Sequence, residues 1–279
     1  MKTIKSTIFS ALAIATLTFT SCSEDQVETT EQQDLTAISE KLSNLGFDVE
    51  DLHATTFQGL NGFVVEGDIF LTIDQINELS PKITVGNNEV NSEHYRTNNI
   101  VSTPRTLSVY MDATFGSDMQ AAFDEALSRY NALNLDITFA RAANSGADID
   151  VLAQKLPKYR GGTILGRSAG FPDASGNPAT PIVLNSDIYV PRRGGVPADA
   201  VTVIAHEIGH AIGFRHTDYF DRSFSCGGST ANEGDGGVGA VYIPGTPSGA
   251  ENGSFMLACS NGTDRPFTSG DRTALTTVY

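Results

Sequence analysis

Hydrophobic and polar positions change period several times along the chain, and each change marks an element. A weakly apolar run from Thr7 to Thr20 follows Lys2 and Lys5 and ends in small residues before Cys22. It is too short, and too soon followed by acidic residues, for a membrane span, so it reads as a secretion signal. Residues 22–36 are acidic and polar with almost nothing to bury, which predicts a flexible tether. "LTAISEKLSNLGF" carries a short helical period stopped by Gly46, and "FVVEGDIFLT" reads as a strand with Gly67 in its interior. "TIDQINELSP" opens with Thr72 and Gln75 at capping-box spacing and closes before Pro81. This small acidic helix-strand-helix unit, residues 37–103, ends where hydrophobic content drops over 91–106, and it looks like an accessory or pro-region.

Residues 104–279 form the larger domain. "LSVYMD", "DITFARA" and "ADIDVLAQ" read as strands, and Met119, Phe123, Leu127 and Tyr130 line one face of a helix between the first two. Glycine and proline divide "GGTILGRSAGFPDASGNPATPIVLNSDIYV" into strands joined by exposed turns. "PADAVTVIAHEIGHAIGF" is helical in period from Asp199 to Ala211 and stops at Gly213, 221–253 is rich in loops, and "DRTALTTVY" is a closing helix. No segment repeats at a fixed period, and the mixture of strands and helices predicts an α+β fold.

Composition narrows the partners. Lys and Arg number 18 against 33 Asp and Glu, a formal charge of -15, and no basic cluster is present to neutralise phosphates, which argues against a nucleic-acid partner. Cys22, directly after Thr20 and Ser21, resembles a bacterial lipoprotein processing site, which implies removal of residues 1–21 and lipid on Cys22. "CSEDQ" is similar to the acidic signal that sends some lipoproteins to the outer face of the outer membrane, so an outer-membrane lipoprotein is expected, with the inner and outer faces both open, and the protein is expected to be monomeric. Cys226 and Cys259 are then the two cysteines left, and in an oxidising compartment they should pair.

The chemistry concentrates in "HEIGHAIGFRHTDYF", residues 206–220. The chain has 5 histidines, and His206, His210 and His216 fall in this window. His206 and His210, four apart, stack on one helix face close enough to share an ion. Glu207 is rotated by about 100 degrees, beside the ion without being needed as a ligand. Gly213 can turn the chain so that His216 supplies a third nitrogen. Three neutral imidazoles leave a fourth position open, the arrangement of one catalytic zinc ion, with Glu207 as general base. Asp218 is a candidate either to anchor its segment or to orient a ligand. The glycine-rich loop 228–239, with Asp235, matches no calcium-loop pattern and reads as a mobile loop near the cleft.

"HEIGHAIGFRHTD" resembles the zinc signature of the metzincin metallopeptidases, and its wording is closest to the bacterial HEIGH group. The resemblance implies a catalytic domain over 104–279 with a twisted mixed sheet, an active-site helix and a Met-turn, preceded by a small α/β pro-region. "FDEALSRYNAL" resembles the first long helix behind that sheet, and "GNPATPIVLN" the region of the edge strand along which an extended substrate lies. "SFMLA" resembles the Met-turn, with Met256 beneath the zinc, and "FTSGDRTALTTVY" the final helix, begun by Asp271. Some features resemble astacins. The tyrosine that astacins place two residues after the methionine is replaced by Ala258, so no tyrosine is assigned to the metal. Tyr219 is a candidate active-site hydroxyl, with packing the plainer role. "VVEGDIF" resembles the stretch with which astacin pro-regions deliver an aspartate to zinc, which would make Asp68 a latency switch; the alternative is a plain turn at Gly67 and Asp68.

The function implied is hydrolysis of peptide bonds in a protein or peptide substrate by metal-activated water. Two other readings fit the same residues: a surface binding lipoprotein that keeps zinc only as a structural staple, and a zinc hydrolase of a non-peptide amide or ester. Glu207 speaks against the first, because a structural three-histidine site has no use for it. The signal reading has its own test. The mature protein should begin at Cys22 and carry the mass of attached lipid, and an intact mass without lipid would contradict it.

Overall fold

The computed structural model describes residues 25–50, 52–79, 94–159, 162–190, 195–230, 232–234, 237–249 and 251–279. The signal segment, Cys22 and Asp235 lie outside the described residues. The N-terminal part contains α1 (Asp25–Asn44), β1 (His53–Phe57), β2 (Leu60–Val65), β3 (Ile69–Thr72), α2 (Ile73–Glu78) and β4 (Tyr95–Arg96). There follow β5 (Arg105–Met111), α3 (Ser117–Asn131), β6 (Ile137–Arg141), β7 (Ile149–Gln154), β8 (Lys158–Tyr159), β9 (Gly162–Thr163), β10 (Gly166–Ser168) and β11 (Ile182–Asn185). The chain closes with α4 (Ser186–Tyr189), α5 (Ala200–Ala211), α6 (Ser223–Cys226), β12 (Val241–Tyr242) and α7 (Ser269–Val278). Among the described residues no helix is long and apolar enough to cross a membrane.

The architecture is α+β. Eight strands form one mixed sheet in the order β1-β2-β3-β10-β11-β7-β5-β6. β6, β5, β7 and β11 run parallel, and β10 is antiparallel to β11. Side chains alternate across this sheet: Ile182 and Leu184 enter the main core with α3 and α5, while Val183 faces a second core with Phe57, Phe70 and Ile164. Met119, Phe123, Leu127 and Tyr130 are all buried on α3, as their spacing predicts.

Three expectations change. The acidic stretch expected to be a tether is helical from Asp25 onward, continuous with the period that ends near Gly46. Glutamate and glutamine are good helix formers, so a polar tract adjoining a helix can extend it. "FVVEGDIFLT" is a hairpin rather than one strand. Val65 pairs with Ile69, and the residues between them reverse the chain, with Glu66 at φ 55 and Gly67 at φ 87. Finally, β11, in the stretch matched to the substrate-binding edge, is interior. The antiparallel strand β10 lies outside the four parallel strands, and its other side is covered by β3, which pairs with it in parallel through Ser168 and Ile69.

Two further ties position the site. Asp271 completes a capping box with Thr268 at the start of α7. Its carboxylate also accepts from Ser254 Oγ at 2.6 Å and Phe255 N at 3.2 Å and faces His94 Nε2 at 2.9 Å, which fixes the segment that carries Met256. Cys226 and Cys259 form a disulfide with a sequence separation of 33, joining the chain after the histidine motif to the chain after Met256. Replacing both cysteines by alanine should lower folding stability by roughly 3 to 4 kcal/mol on the chain-entropy account. Urea titration checks this, and an unchanged midpoint would contradict it.

Candidate metal centre

α5 is buried along nearly its whole length, so its histidines are held away from water rather than displayed on a surface. His206 is 8% exposed and His210 is fully buried. Packing is tight enough that a Cβ on Gly209 would collide with the Met256 sulfur. Gly213 then turns the chain at φ 111, a conformation that glycine adopts without steric cost, and an added Cβ would meet Thr97 Oγ1 at 3.0 Å and Asn99 O at 3.1 Å. The returning segment is pinned on both sides: Arg215 N donates to Tyr95 O at 2.9 Å and Thr217 N to Met256 O at 2.9 Å. His216 therefore arrives opposite the other two rings.

Each ring is oriented through Nδ1. His206 Nδ1 lies 2.9 Å from Phe255 O, His210 Nδ1 2.9 Å from Phe214 O, and His216 Nδ1 2.6 Å from Glu233 Oε1. These oxygens only accept, so each Nδ1 carries a proton and, in the neutral ring, Nε2 presents a lone pair. The Nε2 atoms converge: His210 is 3.0 Å from His206 and 3.1 Å from His216. Asp68 Oδ2 lies 3.2 Å from His216 Nε2, and all four donor atoms fall within 4.8 Å of one another. Tetrahedral zinc with bonds of about 2.0–2.1 Å separates its ligands by about 3.3 Å, so this donor set fits one zinc ion.

The local field favours a cation at that point. Burial pushes His210 well below the ordinary histidine range, and burial with the charge of His216 brings His206 to about 4. Burial opposes a proton on His216 too, but the carboxylates of Glu233 and Asp68 overcome it and hold its pKa well above the usual value. Burial would likewise raise Asp68, yet the charge and hydrogen bond of His216 hold it below the carboxylate range. Glu207 is pushed well above the ordinary glutamate range, by burial first and the neighbouring Asp68 charge second. Its Oε2 has no hydrogen-bond partner, and it shares with His206 and Asp68 a cavity of about 330 Å³.

Asp68 is held in place by its backbone. Arg222 Nη1 donates to Glu66 O at 2.8 Å, Arg167 Nη2 to Gly67 O at 3.2 Å, and Ser168 N to Asp68 O at 3.0 Å. The turn expected as the plain alternative is present, and it also delivers the carboxylate to the histidines.

Among the other expected residues, Met256 is buried directly against Gly209. Asp218 accepts from Ala258 N at 2.9 Å and Ser225 Oγ at 2.6 Å, and so anchors its segment. Tyr219 packs edge-on against Tyr95 with ring centroids 4.3 Å apart. Glu233 was missed. It comes from the glycine-rich loop after the motif, where no spacing rule links a carboxylate to a particular ring, and it also contacts Arg222 Nε at 3.3 Å.

Three histidines and an aspartate placed to hold one metal ion, with a buried glutamate next to the first histidine, fit a zinc metallopeptidase that hydrolyses peptide bonds. The chain belongs to the family of dual-action HEIGH metallo-peptidases, whose sequence pattern matches residues 63–279 and so takes in the turn that carries Asp68. No curated protein matches the sequence. Two solved structures of myroilysin are similar to it. One has 13% sequence identity and a TM-score of 0.38, covering 65% of this chain and 86% of its own. The other has 14% identity and a TM-score of 0.40, covering 66% of this chain and 98% of its own.

Glu233 gives this site a direct test. Glu233→Gln keeps the shape but removes the charge behind His216, and loss of such a partner lowers metal affinity about 10- to 100-fold. Chelator competition on the zinc-loaded chain should show that loss, and an unchanged affinity would contradict the assignment.

Proposed function

We propose that this protein is a zinc endopeptidase made as a latent precursor, with His206, His210 and His216 as the zinc ligands, Glu207 as the general base and Asp68 as the residue that blocks the site. The observation that carries the reading is the 3.2 Å approach of the Asp68 carboxylate to His216 Nε2, which puts a fourth donor where a catalytic site keeps an open position. The chemistry supplied by zinc in such a site is Lewis acidity, which acidifies water and polarises the peptide carbonyl.

The protein residues do the rest. Glu207 is desolvated and its Oε2 is unpaired, so it accepts a proton from the attacking water more readily than an exposed glutamate would, and it returns that proton to the departing amine. A zinc staple without catalysis has no use for such a carboxylate. The backbone of an extended substrate pairs with the edge of β10. In the precursor β3 occupies that edge, so β3 and Asp68 block the backbone site and the metal together. Met256, packed under the helix against Gly209, is the methionine of the Met-turn and supports the floor of the site. Residues 37–103 act as the pro-region. Lipid on Cys22 anchors the protein at the outer membrane, and the pairing of Cys226 with Cys259 suits an exported chain.

Glu207→Gln should retain zinc and lose activity by about 100- to 10,000-fold, the usual worth of a general base. Near-native turnover on any validated substrate would rule out Glu207 as the base. Asp68→Ala in the full chain should raise activity above that of the unprocessed protein. If the two have equal activity, Asp68 is no latency device.

A further inference from the structure

The cavity beside the metal centre contains a charge that the reaction above does not use. Arg265 lines it together with His206 and Glu207, and is only 7% exposed. Its guanidinium is fixed by the main chain alone: Nη2 donates to Cys259 O at 2.8 Å and Nη1 to Ser254 O at 3.5 Å. No carboxylate among the described residues lies within ion-pair distance of it. Asp218, Asp199 and Asp271 act on it only through space. Each is committed elsewhere: Asp218 to Ser225 and Ala258, Asp199 to Ser260, and Asp271 to Ser254 and Phe255. Much of the remaining wall is apolar, with Val203, Phe255 and Leu257 among its residues.

An arginine has five N–H donors, and the two used here leave others unspent beside the cavity. We infer that this cavity is a side-chain subsite of the peptidase and that Arg265 selects an acidic residue, Asp or Glu, adjacent to the scissile bond. The inference rests on the peptidase function. A peptide placed for attack by water beside Glu207 has a neighbouring side chain at the mouth of the cavity. A carboxylate entering it meets a preorganised cation, and such charge-assisted bonds are stronger than neutral ones and gain further in a desolvated site. A neutral amide of the same shape would leave the charge uncompensated. The volume of about 330 Å³ is ample for an aspartate or glutamate side chain.

A carboxylate can also come from the C-terminus of a peptide, so the test separates the two sources. Three small probes are titrated calorimetrically into the zinc-loaded full chain. N-acetylglutamate α-amide carries only a side-chain carboxylate, N-acetylglutamine α-amide carries none, and N-acetylglutamine carries only the terminal one. The first should bind at least about tenfold more tightly than the second, as expected for a hydrogen-bonded charge. Arg265→Gln should abolish the difference. Equal affinity for the first two probes would overturn the assignment, even if the variant fails to fold. Tightest binding of the third would overturn it in favour of terminal carboxylates. Because no turnover is needed, these outcomes do not depend on the roles of Glu207 or Asp68. Cleavage-site profiling of the Asp68→Ala chain provides a second readout. Asp and Glu should be enriched at one position flanking the cut, and cleavage without that enrichment would overturn the assignment.

Discussion

Three imidazole lone pairs facing one another in a dry interior repel unless a cation lies between them. The rest of the structure depends on that constraint. Backbone carbonyls of Phe255 and Phe214 and the carboxylate of Glu233 fix the rings with their lone pairs inward. Those three partners come from the segment around Met256, from the turn after Gly213, and from the loop after the motif. The packing of Gly209 on Met256, the anchoring of Ser254 and Phe255 by Asp271, and the disulfide between Cys226 and Cys259 all serve to keep these segments in place.

Carboxylates around the centre are graded by what they touch. Glu233 is buried with His216, Arg222 and Arg215, and those cations overcome burial and hold it below the usual glutamate range. Glu66, from the hairpin turn, lies 3.8 Å from Arg215 Nη2, and burial with the charge of Glu233 raises it to about 8. Glu66 adopts a left-handed backbone at φ 55, a conformation that side chains other than glycine rarely take. Strain at such a position persists only when the surroundings over-determine it. Here Arg222 and Arg167 hold the carbonyls of Glu66 and Gly67, and the β10 backbone holds that of Asp68. The turn is thus gripped at three successive positions by Arg222, Arg167 and Ser168, and the proposed latency rests on that grip.

Much of this was legible in the residues themselves. Helix periodicity located α3, α5 and α7 to within a few residues, since each buries one or more faces against a common core. The spacing of His206, His210 and His216 around Gly213 led to one ion, because helix geometry and a single turn leave few alternatives. What stayed hidden depends on long-range pairing. The reversal at Glu66 and Gly67 was legible only as one of two readings, strand or turn, because valine and isoleucine on both sides have strong β preference and the turn has only one glycine. The place of β10 between β3 and β11 could not be read locally, since strand order is set by crossovers. Glu233 lies 17 residues after His216 in a loop, where only the folded chain shows which ring it meets.

Anomalous diffraction at the zinc edge, from crystals of the zinc-loaded full chain, tests the central claim most directly. The account predicts one peak at bonding distance, about 2.0–2.2 Å, from the Nε2 atoms of His206, His210 and His216 and from a carboxylate oxygen of Asp68. A peak elsewhere, or a peak on the three histidines with Asp68 turned away from it, would contradict it.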